Sequence, residues 1–265
     1  METQYLNLKN RVYLLTGGTG YIGSITAKEI LKCGAKIILT TTSERKSKKF
    51  KSSLGLKFKK KCRVVVVDLN KEEDIDYLIK TIKKNYKYIN GIVNNAYGGN
   101  TGSIKNIKKV DFQKATNLNL YVPFKIIKDL KNLMIKGANK NKVSSSIVNI
   151  GSMYGLVSPD GKIYKSTKDH NPIHYGSTKA GLIQMTRYLA CNLEGTKIRV
   201  NCVSPGPIPK KMKSKNFMKK LIKKTPANRI GKPIEVALPV VFLLSDLSSY
   251  INGVNLPVDG GWTAW

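Results

Sequence analysis

A short apolar run, Arg11 to Thr16 (RVYLLT), passes directly into Thr16-Gly17-Gly18-Thr19-Gly20-Tyr21-Ile22-Gly23, and a helical pattern then runs from Tyr21 to Cys33 and stops at Gly34. The β-branched and aromatic residues of the run mark a strand. Strand, glycine-rich turn and helix in immediate succession are the context in which a G-x-G-x-x-G match acquires meaning. Gly18, Gly20 and Gly23 fit that match, and Gly17 adds a further permissive position. Glycines there let the backbone approach a pyrophosphate, which rests on the helix N-terminus. The stretch predicts a parallel βα unit whose ligand is a dinucleotide.

The alternation continues. Ala35 to Thr42 reads as a second strand, and Arg63 to Val67 as a third whose unbroken apolar run suits a sheet buried on both faces. An amphipathic helix follows over Glu72 to Asn85. A fourth strand, Ile89 to Asn94, ends in Asn94-Asn95-Ala96-Tyr97-Gly98-Gly99. A long helix is expected over Asp111 to Lys136, carrying Asn117, Asn119 and Pro123. Ser146 to Ile150 forms a fifth strand running into Gly151-Ser152, with a helix from Tyr175 to Leu193. Lys197 to Val203 is a sixth strand before Ser204-Pro205-Gly206-Pro207. Ile234 to Leu244 is a helix, and Gly253 to Val258 a last strand. Strands alternating with helices predict an α/β fold, a doubly wound, Rossmann-type parallel sheet with helices on both faces. No linker, repeat or break in composition divides the 265 residues, so 1–265 reads as one domain.

The net charge of +31 raises a nucleic-acid partner. Of the basic residues, however, 41 are lysine and only 6 are arginine, the residue that reads bases and phosphates by bidentate contacts. Richness in Lys, Ile and Asn fits A/T-biased coding, and nucleic acid is not expected as the main partner. Met1 to Leu8 is polar and lacks the apolar run of a signal peptide. The longest apolar run, near Ala237 to Leu244, is too short to span a bilayer, so no membrane partner is expected. Cys33, Cys62, Cys191 and Cys202 show no metal spacing and read as reduced thiols of a cytoplasmic protein. No metal site is expected.

Strand ends carry the candidate chemistry. A carboxylate after the second strand would bind the ribose 2′-hydroxyl of NAD. Thr40, Thr41, Thr42 and Ser43 stand there instead, followed by Glu44 and Arg45. Hydroxyls and a guanidinium suit a 2′-phosphate, which favours NADP(H). NAD(H) stays open through Glu44 turned inward, with Arg45 opening a solvated, lysine-rich helix. Asp68, ending the third strand, is placed to meet the adenine. Tyr175 stands four residues before Lys179, one helical turn away on the same face. An ammonium beside a phenol favours the phenolate and would tune Tyr175 for general acid/base work. Ser152, at the end of the fifth strand, lies on the ligand side of such a sheet.

With these pieces in order, the chain resembles a short-chain dehydrogenase/reductase of the short single-domain branch, from Asn10 to about Trp262. The resemblance rests on the ordered set of glycine loop, Asp68-Leu69, Asn94-Asn95-Ala96, Asn119, Ser152, Tyr175-x-x-x-Lys179, Ser204-Pro205-Gly206 and Val258-Asp259-Gly260-Gly261. It implies that Tyr175 passes the proton and that Ser152 stabilises charge on the substrate oxygen. It implies further that Lys179 holds the nicotinamide ribose and that Asn119 anchors a relay water. The cofactor would be lined by Gly17, Thr19, Gly20, Tyr21, Ile22, Gly23, Thr42, Arg45, Asp68, Leu69, Asn94, Ala96, Tyr175, Lys179, Pro205 and Ile208. Relatives commonly form tetramers through two long helices, so a homo-tetramer or homo-dimer is implied.

Three features depart from the pattern. Gly17-x-x-Gly20-x-x-Gly23 with Tyr21 looks more like the glycine loop of the longer, nucleotide-sugar-modifying branch. Tyr97 stands where a glycine is usual and would shape the substrate pocket. Ser152 and Tyr175 are 23 residues apart, a longer interval than usual, because of extra residues within 156–174. That insertion holds both histidines, His170 and His174, and its Pro, Asp, Gly and Asn content reads as a specificity loop. A second substrate loop is expected over 207–226. Eight of the sixteen residues from Pro209 to Lys224 are lysine, a basic lid that suits an anionic substrate, unless it is a solvated amphipathic helix. Ser152-Met153-Tyr154-Gly155 and Pro172-x-x-Tyr175 resemble a subgroup associated with bacterial surface-glycan (nonulosonic acid) synthesis. The function expected is NAD(P)-dependent interconversion of a ketone and a secondary alcohol on a polar or anionic sugar-type substrate. The alternatives are a 3-oxoacyl thioester (acyl-carrier-protein) reductase, a nucleotide-sugar epimerase or dehydratase, and a non-catalytic NADP(H)-binding protein.

Overall fold

The computed structural model describes residues 6–99, 101–210 and 214–265. The strands are β1 (Val12–Leu15), β2 (Lys36–Thr41), β3 (Cys62–Val66), β4 (Gly91–Asn94), β5 (Ser145–Ile150), β6 (Ile198–Pro205) and β7 (Asn255–Val258). They form one sheet of order β3-β2-β1-β4-β5-β6-β7. Every neighbouring pair is parallel. The order reverses direction between β1 and β4, and the carboxyl ends on either side of that switch point are where a sheet of this kind binds ligands.

Alternation along the strands builds two cores. Val12 and Leu14 of β1 face a core completed by α4 (Glu72–Asn85), α6 (Val122–Asn141) and α7 (Ile173–Asn192). Tyr13 and Leu15 face the opposite core, shared with α1 (Tyr21–Lys32) and α9 (Pro233–Leu244). Helices on both faces explain why β1, β4, β5 and β6 are buried throughout.

Two short helices, α2 (Glu44–Ser52) and α3 (Leu56–Lys59), fill the β2–β3 connection. The long helix expected over Asp111 to Lys136 is interrupted. It comprises α5 (Lys109–Thr116), a π-helical segment over Asn117–Tyr121, and α6. Pro123 has no N–H to give the carbonyl four residues back, which is that of Asn119. The ladder slips instead, and the Val122 N–H bonds the Asn117 carbonyl. Such π segments concentrate at functional sites. The insertion over 156–174 is mostly irregular, with single 3₁₀ turns at Gly161–Ile163 and Thr167–Asp169. The second substrate loop contains α8 (Lys215–Lys224). Lys211 and Lys213 of the basic run, and Met1 to Tyr5, lie outside the described residues. No helix among the described residues is long and apolar enough to cross a membrane, and no group of His, Cys, Asp or Glu is arranged to hold a metal.

Candidate active site

A cleft of about 530 Å³ runs along the carboxyl ends of β1, β2 and β3. The glycine loop forms its floor. Gly17 has φ +64°, the left-handed region that favours glycine. A Cβ on Gly23 would sit 2.5 Å from the Gly17 oxygen, so the helix can approach the loop only without a side chain there. At Gly20 a Cβ would meet only the Gly17 oxygen, at 3.1 Å, and would otherwise project into open space. Gly20 caps α1 without a side-chain bond, and no acid occupies the first turn of that helix. The unpaired N–H groups of α1 therefore face a space that fits a pyrophosphate. Asn95 fixes the loop by donating from Nδ2 to the carbonyls of Thr16 (2.9 Å) and Gly17 (3.2 Å). Thr16 Oγ1 accepts from the N–H groups of Asn95 and Ala96, each at 3.0 Å.

At the β2 end, Thr19 Oγ1 and Thr41 Oγ1 lie 2.7 Å apart, and Thr40, Thr41, Thr42 and Lys46 line the cleft. Arg45, expected at this place, is exposed and outside the lining, and Lys46 stands in its stead. The helix geometry decides this. Ser43 caps α2 by accepting from the Lys46 N–H (3.3 Å), which sets Lys46 on the cleft side of the first turn. Asp68 and Leu69 line the cleft as expected. Asn94 does not. It is buried and donates to Asn149 Oδ1 at 2.8 Å inside the sheet, while its neighbour Asn95 faces the cleft.

A second cleft, of about 380 Å³, opens over the end of β5 and shares Ile22, Asn95 and Tyr97 with the first. Ser152, Tyr175 and Lys179 lie in it together. Ser152 leaves β5 in extended conformation and accepts from the Tyr154 N–H at 3.1 Å. Its hydroxyl acts on the Tyr175 phenol and offsets part of the upward push that burial exerts on that phenol. Lys179 is 3% exposed, and burial lowers its pKa to about 8. Its Nζ donates to the Ile150 carbonyl at 2.6 Å and lies 6.0 Å from the Tyr175 ring centroid and 5.8 Å from that of Tyr97. The expected downward shift of Tyr175 is therefore absent from this geometry. The ammonium points to a main-chain carbonyl, and burial dominates the phenol. Asn119 is 1% exposed, donates to Thr178 Oγ1 at 2.9 Å, and has a buried Oδ1 without a partner among the described residues. A water would satisfy such an atom.

The substrate side is walled by aromatic rings. Tyr97 stands edge-on to Tyr175, with centroids 4.9 Å apart at 83°. Tyr154 and Tyr164 pair through their hydroxyls at 3.3 Å, and Tyr164 lies 5.7 Å from Phe217 of α8. The insertion adds Asp169 and Asn171, and the β6 end adds Pro205 and Ile208. From α8, only Phe217 and Leu221 line the cleft. Two of its lysines reach the insertion instead: Lys220 Nζ donates to the Lys162 carbonyl (2.8 Å) and Lys224 Nζ to Asp160 Oδ2 (2.6 Å). Sequence reasoning did not single out Asn95, Lys46, Tyr164, Asp169 or Asn171. Helical phase was the available signal for Lys46, and none existed for the insertion residues.

Known proteins agree with this geometry. The family profile described as "Enoyl-(Acyl carrier protein) reductase" matches residues 19–263. The chain is 32% identical over 262 residues to the 3-oxoacyl-[acyl-carrier-protein] reductase FabG of Aquifex aeolicus, covering 97% of this chain and 98% of that protein. It is 30% identical to the 7alpha-hydroxysteroid dehydrogenase of Bacteroides fragilis, covering 96% and 95%. Among solved structures, it is similar to the Pseudomonas aeruginosa RhlG/NADP active-site complex, with TM-score 0.86, 25% identity and 98% of each chain covered. It is also similar to a short chain dehydrogenase from Leptospira borgpetersenii with bound NAD+, with TM-score 0.83, 28% identity and coverage of 99% and 97%. Sheet order, glycine loop, the Ser152–Tyr175–Lys179 grouping and these full-length similarities together establish that the chain belongs to the short-chain dehydrogenase/reductase family, as an NAD(P)-dependent oxidoreductase.

Proposed function

We propose that the protein is an NADP(H)-linked enzyme that interconverts a ketone and a secondary alcohol on a polar, sugar-type substrate. One observation carries the reading: Ser152, Tyr175 and the buried Lys179 line one cleft, which shares Ile22, Asn95 and Tyr97 with the cleft of the glycine loop. A carbonyl oxygen placed against both hydroxyls accepts a bond from Ser152, which stabilises the charge that develops on it. Tyr175, held protonated by burial, delivers the proton to that oxygen. Nicotinamide, when bound, supplies or takes the hydride. Lys179 holds the nicotinamide ribose, and Asn119 anchors the water that replenishes the proton. The 2′-phosphate of NADP(H) is held by Thr41, Thr42 and Lys46, since the β2 end of the cleft offers hydroxyls and an ammonium, with Asp68 at the end of β3. NAD(H) is the second choice.

A 3-oxoacyl thioester reductase is the second reading, favoured by the printed names of several relatives. The insertion over 156–174, which closes the substrate cleft with polar side chains, favours the polar substrate instead. We propose further that one catalytic domain carries the two substrate loops, that the enzyme works in the cytoplasm, and that it assembles as a homo-tetramer or homo-dimer. The test is oxidation of NADPH and of NADH with keto-sugars and with acetoacetyl thioester. Tyr175→Phe is expected to retain NADPH binding and to lose turnover by roughly a hundredfold or more. Turnover that survives Tyr175→Phe would refute the assignment, and preference for the thioester would select the second reading.

A further inference from the structure

The insertion leaves unpaired hydrogen-bond acceptors at the substrate cleft. Asp169 lines the cleft and is exposed. Its carboxylate accepts only from Ser166 Oγ (3.0 Å), inside its own turn, and it forms no ion pair among the described residues. Asp160, the other acid of the same turns, is neutralised by Lys224. Asn171, on the same wall, has a buried amide oxygen without a partner among the described residues. Both acceptors can take donors from whatever fills the cleft.

The charges decide among ligand classes. An anionic substrate would be drawn in by the net charge of +31, yet it would meet Asp169 at the cleft and none of the described α8 lysines. Among the described residues, the ammonium that lines the cleft, Lys179, is committed to the Ile150 carbonyl. A cationic substrate would suit Asp169 but is opposed by the field of the whole molecule. A neutral group bearing several hydroxyls meets neither objection. Its O–H groups satisfy the two acceptors while its C–H faces lie against Tyr97, Tyr164 and Phe217.

We infer that Asp169 and Asn171 form a specificity subsite that reads hydroxyl groups on an uncharged part of the substrate. The inference rests on the oxidoreductase reading. The experiment compares NADPH-dependent reduction of erythrulose and of butanone, which share one carbon skeleton and differ only in hydroxyl groups. Wild type is expected to favour erythrulose by roughly tenfold or more in kcat/KM, because a site built to bond hydroxyls discriminates against an analogue lacking them. Asp169→Ala and Asn171→Ala should each pull that ratio toward one, chiefly through the KM of erythrulose. A wild-type ratio near one, a ratio unmoved by both substitutions, or a preference for acetoacetate that disappears with added salt would overturn the subsite. Erythritol binding to the NADP+ complex, followed by ligand-observed NMR, gives the same decision without turnover. Saturable binding weakened in Asp169→Ala supports the subsite, and no binding refutes it. Failure to reduce either ketone with NADPH bound would count against the oxidoreductase reading alone.

Discussion

Lys179 is a charge the fold keeps at a cost, and that cost has a measurable pH signature. Its pKa falls from 10.5 to about 8 on burial. At about 1.4 kcal/mol per unit, the folded protein at neutral pH bears on the order of 3 kcal/mol for keeping the ammonium charged. Lys179→Met removes that cost but strips the Ile150 carbonyl of its donor, which costs about 1–3 kcal/mol. At pH 7 the two effects nearly offset, so the stability of the variant there decides nothing. The pH dependence does decide. Between about 8 and 10.5 the unfolded chain holds a lysine proton that the folded chain has released, so wild-type stability rises with pH across that window. The variant has no such group. The wild-type advantage should therefore grow by roughly 2–3 kcal/mol between pH 7 and pH 10, most of it above pH 8. Urea unfolding of both proteins without cofactor, at matched ionic strength, measures this difference, and groups common to both cancel. A difference that stays flat from pH 7 to pH 10 would show that the ammonium is not desolvated, and the argument would fall.

Two further predictions follow from the geometry. Lys46→Ala should weaken NADPH roughly tenfold relative to NADH, while Arg45→Ala should change neither appreciably, as read by fluorescence titration; the reverse pattern would return the 2′-phosphate to Arg45. Tyr97→Leu should lower kcat about two- to tenfold with little change in cofactor affinity, because the edge-on contact that steadies the Tyr175 ring is worth about 0.5–1.5 kcal/mol. Tyr97→Phe keeps that edge and should restore the rate, and failure to do so would locate the role of Tyr97 in its hydroxyl.

Features governed by local rules were legible in the sequence, and features set by three-dimensional phase were not. The helix over Glu72–Asn85 coincides with its expected bounds, because three acids open it and an apolar stripe of Ile75, Leu78, Ile79 and Ile82 runs along it. Ser152, Tyr175 and Lys179 were readable because strand end and helix turn fix their positions. Asn94 and Asn95 could not be told apart. Which of two adjacent residues faces the cleft depends on where β4 ends, and that end is set by pairing with β5. Likewise, Arg45 and Lys46 differ by one step of helical phase, fixed by the Ser43 cap. The break at Asn117–Tyr121 was latent in Pro123, whose missing N–H removes one bond from the α-helical ladder.

The basic run after Pro209 shows why charge density along a chain is a poor guide to charge in a site. Periodicity sorts α8 into two faces. Phe217 and Leu221, four residues apart, turn inward, while Lys215, Lys219 and Lys223 are exposed. Half the residues of α8 are thus cationic while the cleft beside it receives from that helix only a ring and a leucine. The two lysines at the boundary, Lys220 and Lys224, are used to hold the insertion. Lys224 also lies 5.8 Å from the ring centroid of Trp262, whose ring in turn packs edge-on against Tyr154. One ammonium therefore joins α8, the insertion and the C-terminal segment behind the wall of the substrate cleft. The Asp160–Lys224 pair is partly exposed, and such a pair contributes little to stability. Its consequence lies in geometry. With Asp160 paired to Lys224, Asp169 is the acid of the insertion that lines the cleft without an ion pair among the described residues.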